Sequence, residues 1–300
     1  MTNEPRETED YCEFHSADWR GLVLFDWNPR FAGCDPLGWL RRYENKVSRL
    51  RPGGCTWRVR SEWGTVFVKH VSARYTTRSE GGWRLGKRLR WLLRRSPALR
   101  LVRVARQMQA RGIGSPRVLL AVRRGGALTR EDLVITEAVH GRRLLVLATR
   151  KPDAAKQLLC MMADETRKMH DAGVAHGHLL AGHMLIPEGQ ERVVFIDNDE
   201  NRFYRRPAPW HARERNLSQL AHQVSPIYRL WRPFFHHYFE QSGLPKRLWR
   251  HRLARILRRA RARARASGRS RAERARFIQG RVAEWIRRQD ARAAGGQRHA

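Results

Sequence analysis

Apolar and polar residues alternate in short runs in the first half of the chain, a pattern that predicts β-strands. Residues 56–60 alternate strictly, residues 65–71 form a β-branched and aromatic run, and the Trp-Gly-Thr at 63–65 has turn composition. These features predict a β-hairpin whose second strand carries a single lysine. Two further apolar runs, at 118–122 and 133–136, flank a glycine-containing polar stretch and predict a second hairpin.

Apolar residues spaced three and four apart predict helices in the remainder of the chain. Residues 97–111 have this spacing, begin with a proline and are followed by Gly112, as expected at the two ends of a helix. A longer helix is predicted over 153–171 and is ended by Gly173. The chain is predicted to be helical again from 207 to about 241.

Changes in composition divide the chain into four segments. Residues 1–54 contain scattered tryptophan and phenylalanine and are interpreted as an irregular leader. Residues 55–136 form a β-rich unit and residues 137–245 a helical one. Residues 246–300 are a basic tail rich in arginine and alanine, either helical or disordered. This order predicts an α+β fold class.

The charge of the chain is strongly positive. It has 61 basic and 28 acidic residues, a formal net charge of +33 at pH 7, and most of the basic residues are arginine. Such a field attracts anionic partners, namely phospholipid headgroups, nucleic acid or a phosphorylated glycolipid. With 41% hydrophobic residues, the chain can still build a core, which excludes disorder along its whole length.

Localisation and cysteine use give further expectations. The first ten residues are polar and acidic, and no stretch approaches the roughly 18 to 20 apolar residues that span a bilayer, so we expect a cytoplasmic protein. The four cysteines lie far apart without CxxC pairing, which argues against a disulfide framework and a structural zinc site.

The basic tail is open to three interpretations. The first is a solvated helix or a disordered tail. The second is an interfacial helix at an anionic membrane surface, with Trp285 and Ile286 beside arginines. The third is an arm that binds the phosphates of nucleic acid, which is the less favoured partner because no sequence-specific DNA-binding motif is visible.

Residues typical of phosphoryl-transfer enzymes occur in a characteristic order. Lys69 lies late in a predicted strand, His176 and His178 lie in a loop after a helix, His183 follows five residues later, and Asp197 closes a strand. Kinase-like enzymes use a strand lysine for the phosphates, a loop for the acceptor hydroxyl and a strand-end aspartate for magnesium. None of these features is specific alone, but their order and spacing together indicate this chemistry.

A zinc cluster is an alternative interpretation of the histidines. His170, His176, His178 and His183 are close in sequence, and imidazole is a good zinc ligand. No supporting carboxylate is identifiable from the sequence, and His176 is better interpreted as a core histidine.

Six segments resemble motifs of the lipopolysaccharide kinase family, the kinase-fold enzymes that phosphorylate heptose or Kdo in the lipopolysaccharide inner core. The resemblance covers about residues 55 to 240, and its catalytic-loop segment is the most specific part. The segments are residues 66–69 (lysine strand), 109–117 (helix end and strand entry), 134–137 (hinge), 169–177 (catalytic loop), 195–199 (metal strand) and 231–239 (closing helix). The resemblance implies a protein-kinase-like bilobal fold with a β-rich N-lobe and a helical C-lobe.

The resemblance also implies roles for individual residues, with ATP and magnesium as cofactors. Lys69 would hold the ATP phosphates, and the backbone of Glu137 would meet adenine. Asp197 would bind magnesium, His183 would flank a second metal, and His178 stands where the family has its catalytic aspartate. The implied acceptor is the lipopolysaccharide core or another anionic glycolipid, and peripheral contact with the inner face of the inner membrane follows from it.

Departures from the family pattern predict weak catalysis. Losing a positioned general base typically costs about 10²- to 10⁴-fold in rate, and here His178 replaces the aspartate. The helix glutamate that should pair with Lys69 falls near Leu101, and the aspartate that anchors the catalytic loop is Asn216. The prediction is therefore a weak kinase. The alternatives are a pseudokinase, acting as a nucleotide-binding or scaffold module in envelope biogenesis, and a basic nucleic-acid-binding protein.

Overall fold

The computed structural model divides the chain into two compact units, Met1–Val139 and His140–Ala300. This division falls close to residue 136, where the sequence predicts the end of the β-rich segment. The structure describes residues 11–43, 47–49, 56–72, 96–126, 129–143, 152–187, 190, 192–224 and 228–266.

The first unit is built on a seven-stranded sheet whose neighbouring strands are all antiparallel. Its strands are β1 (Tyr11–Ser16), β2 (Trp19–Leu24), β3 (Val47–Arg49), β4 (Thr56–Ser61), β5 (Gly64–Ser72), β6 (Val118–Arg124) and β7 (Glu131–Glu137). They are arranged in the order β1-β2-β6-β7-β5-β4-β3. Both predicted hairpins are confirmed, as β4–β5 and β6–β7, and β5 pairs with β7 between them.

Each face of this sheet carries its own apolar cluster, because successive side chains of a strand point to opposite faces. On one face, Val68 of β5 and Ile135 of β7 belong to a cluster rich in tryptophan. Three of its aromatic members come from a 3-10 helix (Phe25–Trp27) and from helices α1 (Asn28–Phe31) and α2 (Pro36–Arg41). On the opposite face, Ala121 and Val134 pack against helix α3 (Pro97–Ala110), which was predicted from the sequence.

The prediction of an irregular leader over residues 1–54 is wrong for residues 11–43. β1 and β2 form a hairpin, and β2 pairs with β6 in the middle of the chain. Trp19 is fully buried, and its indole N–H donates a hydrogen bond to Asp35 Oδ1 at 2.8 Å. β1 and β2 mix polar and apolar residues, so their local pattern is weak, and pairing with a distant strand fixes their conformation.

The second unit is mainly helical. Its helices are α4 (Pro152–Asp171), α5 (Trp210–Val224), α6 (Tyr228–Glu240) and α7 (Lys246–Ala266), and its short strands are β8 (Gly141–Arg143), β9 (Val174–Ala175), β10 (Met184–Pro187), β11 (Val194–Phe195) and β12 (Arg202–Phe203). The helices predicted over 153–171 and 207–241 are confirmed, the second as two helices. α4 packs against α6, and α5 packs against α7.

Helix α7 shows that the start of the basic tail is part of the second unit. Its buried residues recur at helical spacing and are Trp249, Leu253, Ile256, Ala260 and Ala264. On α5, the fully buried Glu214 forms ion pairs with three arginines of α7, Arg252, Arg255 and Arg259. Of the two forms predicted for the tail, the helical one is confirmed for residues 246–266. This helix is not a solvated one, because one side of it is buried. The interfacial helix considered around Trp285 lies outside the described residues.

None of the helices within the described ranges is both long enough and apolar enough to span a membrane.

Candidate functional site

The histidine-rich loop of the second unit follows α4 along a path that two glycines permit. Gly173 has a φ of +77°, and a Cβ there would lie 2.5 Å from the carbonyl oxygen of Tyr204. At Gly177, a Cβ would lie 2.2 Å from the Cβ of Glu200. Because any side chain would collide at these two points, the approach of the backbone to His178 depends on glycine.

Asn216 of α5 lies at the centre of a buried polar network below this loop. Its amide nitrogen donates to the carbonyl oxygen of His176, and its Oδ1 accepts from Nε2 of His170 at 3.1 Å. Nδ1 of His170 accepts a hydrogen bond from the hydroxyl of Tyr238 at 2.8 Å. Burial lowers the pKa of His170 to about 3, so its ring is neutral and can donate and accept at the same time. Asn216 thus holds the loop from the position where the family resemblance implies an aspartate.

Two glutamines on the same face of α5 complete this support, and the sequence analysis did not single them out. Gln219 Nε2 donates to the carbonyl oxygen of Gly177 at 3.1 Å, while its Oε1 accepts from the N–H of Leu179 at 3.3 Å. Gln223 Oε1 accepts from the N–H of Ala181 at 2.6 Å. The signal available in the sequence is their spacing, three and seven residues after the anchoring asparagine, which places all three amides on one helix face.

His176 connects the loop to the end of strand β11. Its Nε2 donates to the carbonyl oxygen of Ile196 at 3.1 Å, and its Nδ1 accepts from the N–H of His178 at 3.1 Å. Burial, and next the proximity of His183, lowers the pKa of His176 to about 4. The prediction of a core histidine is therefore confirmed: His176 is buried, neutral and bonded through both ring nitrogens.

Asp197 follows β11 in a conformation that is unusual for a residue with a side chain. Its φ is +62°, and left-handed backbone at such a residue costs on the order of 1–3 kcal/mol. Neighbouring amides hold this turn: Asn198 donates to the carbonyl oxygen of Phe195 at 2.6 Å and accepts from Asn201 at 3.1 Å. Asn201 also accepts from the N–H of Gly177 at 3.2 Å, so the turn and the histidine loop are tied together.

The two segments bring His178, His183 and Asp197 into one cluster. Each offers one ligand atom, and these three atoms all lie within 4.8 Å of one another. Nε2 of His183 lies 3.7 Å from Oδ2 of Asp197, while Nδ1 of His183 lies 2.9 Å from the carbonyl oxygen of His178. His178 and Asp197 are exposed and His183 is half-buried, so the cluster is open to solvent.

The four-histidine zinc cluster considered from the sequence is not formed by these residues, all of which the structure describes. His170 and His176 are buried, and both ring nitrogens of each take part in hydrogen bonds. The other two, His178 and His183, lie together with Asp197 instead.

Lys69 lies on β5 in the first unit, opposite Thr56 of β4 and Val134 of β7. Because Val68 belongs to the tryptophan-rich face, Lys69 points to the opposite face, where Val134 packs against α3. The sequence of α3 contains no aspartate or glutamate, so this helix supplies no carboxylate to Lys69. Leu101, where the family glutamate was expected, is packed against the apolar cluster of α3.

Glu137 ends β7, also in the first unit, and its carboxylate is bound by Arg117. The backbone N–H of Arg117 donates to Oε1 at 2.9 Å and its Nε donates to Oε2 at 3.0 Å. The backbone N–H of Glu137 donates in turn to the carbonyl oxygen of Arg117 at 3.1 Å. The side chain of Glu137 thus ties the end of β7 to Arg117, the residue that precedes β6.

Of the five site residues named from the sequence, the structure groups three and places two in the other unit. His178, His183 and Asp197 form the cluster in the second unit, while Lys69 and Glu137 lie on paired strands of the first. The roles given to them in nucleotide and metal binding stay predictions.

The fold is that of protein-kinase-like enzymes. The chain is similar to the solved structure of WaaP in complex with acyl carrier protein, with a TM-score of 0.54 and 20% sequence identity over 80% of this chain and 97% of that chain. An antiparallel β-sheet unit followed by a helical region is common to both, so the predicted fold class is confirmed.

The family follows from the sequence comparison. The model of the lipopolysaccharide kinase (Kdo/WaaP) family matches residues 59–251, which is more than half of the chain, and the chain belongs to this family. It is also similar to the KEOPS complex subunit Bud32 of Pyrococcus abyssi (strain GE5 / Orsay), with 28% identity over 106 residues. That alignment covers 35% of this chain and 44% of the Bud32 subunit, so the chain spans less than half the length of this relative.

Proposed function

We propose that the protein transfers the γ-phosphoryl group of ATP to a hydroxyl of an inner-core sugar, heptose or Kdo, of lipopolysaccharide. The observation that carries the proposal is the cluster that His178 and His183 of the anchored loop form with Asp197 after β11, in a chain of this kinase family. In the transfer, the acceptor oxygen bonds to the γ-phosphorus, the bond to the β-phosphate oxygen breaks, and ADP leaves.

The proposed roles are those that the family resemblance implies for these residues. Lys69, on the α3 side of the sheet, holds the phosphates, and the backbone of Glu137 meets adenine. Asp197 supplies a carboxylate oxygen to the divalent cation, magnesium in the family resemblance, with His183 beside it. The cation would offset phosphate charge in the transition state. His178, exposed at the loop, accepts the proton of the acceptor hydroxyl.

A pseudokinase is the second candidate, favoured by a specific observation. The residue at the family's catalytic aspartate position is His178, and an imidazole supplies no negative charge to a magnesium site. In this candidate the chain binds nucleotide, or acts as a scaffold in envelope biogenesis, without turnover.

The anionic acceptor is supported by the charge of α7. Arg247, Arg250, Arg258, Arg261 and Arg265 are all exposed and follow one side of this helix over about 27 Å. Such a row suits phosphates at a membrane surface, where each basic residue adds to binding. We therefore place the protein at the cytoplasmic face of a membrane that carries its lipid-linked acceptor. Nucleic acid binding remains the weaker alternative for the same charge.

Nucleotide binding gives the first test. Thermal unfolding in excess Mg-ATP should show a rise in Tm, since a ligand at 100 times its Kd adds about 2.7 kcal/mol to the folded state. Lys69→Ala and Asp197→Ala should each remove most of this rise because they delete the proposed phosphate and cation contacts. Lys156→Ala and Asp18→Ala, at exposed positions, are matched controls that should keep it. An unchanged Tm at millimolar nucleotide would show that the site has lost its cofactor.

The role of His178 separates the kinase from the pseudokinase. Phosphate transfer from labelled ATP to a lipopolysaccharide acceptor should fall by about 10²- to 10⁴-fold in His178→Ala, because the proton acceptor is lost. His178→Asp should exceed the wild-type rate, since it restores a carboxylate beside the cation. The exposed His211→Ala serves as the control. If wild type and His178→Asp both bind nucleotide without any transfer, the pseudokinase is the correct description.

A further inference from the structure

The side of α7 that faces α5 carries arginines that the proposed function does not use. Arg259 donates a hydrogen bond to the buried Glu214 of α5 at 3.1 Å. Arg263 lies four residues further along α7 and therefore on the same side, and Arg215 directly follows Glu214 on α5. Because α5 and α7 pack against each other, Arg215, Arg259 and Arg263 interact at the place where the two helices meet. We call these three residues the junction arginines.

The charges at this place are not balanced. Glu214 forms ion pairs with three guanidinium groups of α7, and Arg215 and Arg263 add two more positive charges. Five positive charges against one negative charge leave an excess of four. Partial burial, and next the like charges of Arg215 and Arg259, lower the pKa of Arg263, and no carboxylate of the described residues offsets them. Holding like charges together costs free energy unless an anion lies beside them.

The junction arginines are open to solvent and have the donors that a phosphate group requires. All three are exposed. A guanidinium group presents its N–H donors in a planar fork that matches two oxygens of a phosphate. Clusters of arginine are also a recurring means of recognising phosphorylated groups in proteins. A bound phosphate dianion would therefore offset part of the excess positive charge.

The junction arginines are separate from the row of exposed arginines on the outer side of α7. Each residue of a helix is rotated by about 100° from the one before it. Arg258 and Arg265 of the row are therefore turned by about 100° and about 120° from Arg259. The row is on one helix and suits a flat anionic surface, whereas the junction arginines come from two helices and suit a single anionic group.

We propose that Arg215, Arg259 and Arg263 bind the phosphate group of a phosphomonoester where α5 meets α7. The inference goes beyond the proposed function, because these arginines take no part in holding the nucleotide, the cation or the acceptor hydroxyl. The phosphomonoester headgroup of a lipid and a soluble phosphate present the same chemistry to them. Binding of inorganic phosphate tests the site itself, and binding of vesicles distinguishes the two sources.

Calorimetric titration of the full chain with inorganic phosphate, at physiological salt and without nucleotide, tests the site. Arg215→Gln and Arg263→Gln should each weaken phosphate binding about 10- to 100-fold, because each removes charge-assisted hydrogen bonds. Arg205→Gln, at an exposed position of the same unit, should bind phosphate as wild type does. Lys69→Ala should also bind it as wild type does, which separates this site from the proposed nucleotide site. Equal affinity in wild type and Arg263→Gln, or an equal loss in Arg205→Gln, would overturn the inference.

Thermal unfolding separates loss of binding from loss of folding. Without phosphate, the Tm of Arg263→Gln should equal or exceed that of wild type, because the change relieves repulsion between like charges. Added phosphate should raise the Tm of wild type more than that of Arg263→Gln, since a ligand of the folded state stabilises it in proportion to its occupancy. The same phosphate-induced rise in both proteins would contradict the proposal.

Vesicles of phosphatidylcholine, with and without phosphatidic acid, identify the source of the phosphate. Phosphatidic acid carries a phosphomonoester headgroup. The matched control for the double variant Arg215→Gln/Arg263→Gln is Arg205→Gln/Arg206→Gln, which removes the same charge at exposed positions. Weaker sedimentation of the first double variant with phosphatidic acid vesicles would assign the site to a lipid headgroup. Equal sedimentation of both, together with loss of inorganic phosphate binding in the first, would assign it to a soluble phosphate.

Discussion

Replacing Glu214 with glutamine is expected to lower the free energy of unfolding by about 3 kcal/mol and to release α7 from α5. Glu214 is fully buried, and its carboxylate accepts hydrogen bonds from Arg252 at 2.8 Å, Arg255 at 2.8 Å and Arg259 at 3.1 Å. Glutamine keeps the shape of the side chain but removes the negative charge that holds three guanidinium groups together. The change is read from urea unfolding curves.

The size of this effect follows from which charges remain. Breaking a buried ion pair costs about 3–5 kcal/mol when an unpaired charge is left inside the protein. Here the three arginine side chains are partly exposed to solvent, by 19% for Arg252, 41% for Arg255 and 47% for Arg259. Water therefore partly solvates them after the change. The expected loss therefore lies at the lower end of that range.

A control and a local measurement make the prediction specific. Glu13→Gln removes an exposed carboxylate and should change stability by no more than about 0.5 kcal/mol. Hydrogen exchange of the amides of α7 should become faster in Glu214→Gln, because the helix loses its charged attachment. If Glu214→Gln had the urea midpoint and the α7 amide exchange of the wild type, apolar packing alone would hold this helix.

Local patterns predicted most of the regular elements correctly because their signals lie within a few residues. The helices α3 and α4 have apolar residues at helical spacing, and Gly112 and Gly173 follow them with positive φ. The direction of Lys69, in contrast, follows from the structure, because its neighbour Val68 belongs to the tryptophan-rich face of the sheet.

Elements fixed by distant contacts could not be predicted in the same way. β1 and β2 look irregular in sequence because their conformation depends on β6, about 100 residues later. In α7, the buried stripe from Trp249 to Ala264 was present in the sequence, but the density of arginines suggested a solvated tail. Only the position of Glu214 on a different helix explains why those arginines lie against the protein.

The candidate site was predicted in its residues but not in its geometry. The family resemblance named His178, His183 and Asp197, yet their convergence depends on the left-handed backbone of Asp197 and on the amide contacts of α5. No local rule indicates that an aspartate adopts positive φ, since neighbouring asparagines supply the bonds that compensate for it.

The anchoring of the histidine loop leads to the second large effect, at Asn216. Asn216→Leu should destabilise the second unit by about 2–6 kcal/mol. Two buried polar groups lose their partner, the carbonyl oxygen of His176 and Nε2–H of His170, and each unsatisfied group costs about 1–3 kcal/mol. Leucine has the branching and the number of side-chain heavy atoms of asparagine but is larger, so overpacking adds to the loss of hydrogen bonds. Urea unfolding measures it.

The consequence for the site is what distinguishes an anchor from an ordinary buried residue. With Asn216 replaced, the amides of residues 177–181 should exchange faster, because the support of the loop from α5 is reduced to Gln219 and Gln223. Ser218→Ala, a buried change on the same helix whose hydroxyl bonds only to the carbonyl oxygen of Arg215 among the described contacts, should cost about 1 kcal/mol and leave loop exchange unchanged. If both variants lose stability equally and neither alters the loop, then Asn216 contributes to the core of the unit and does not position the site.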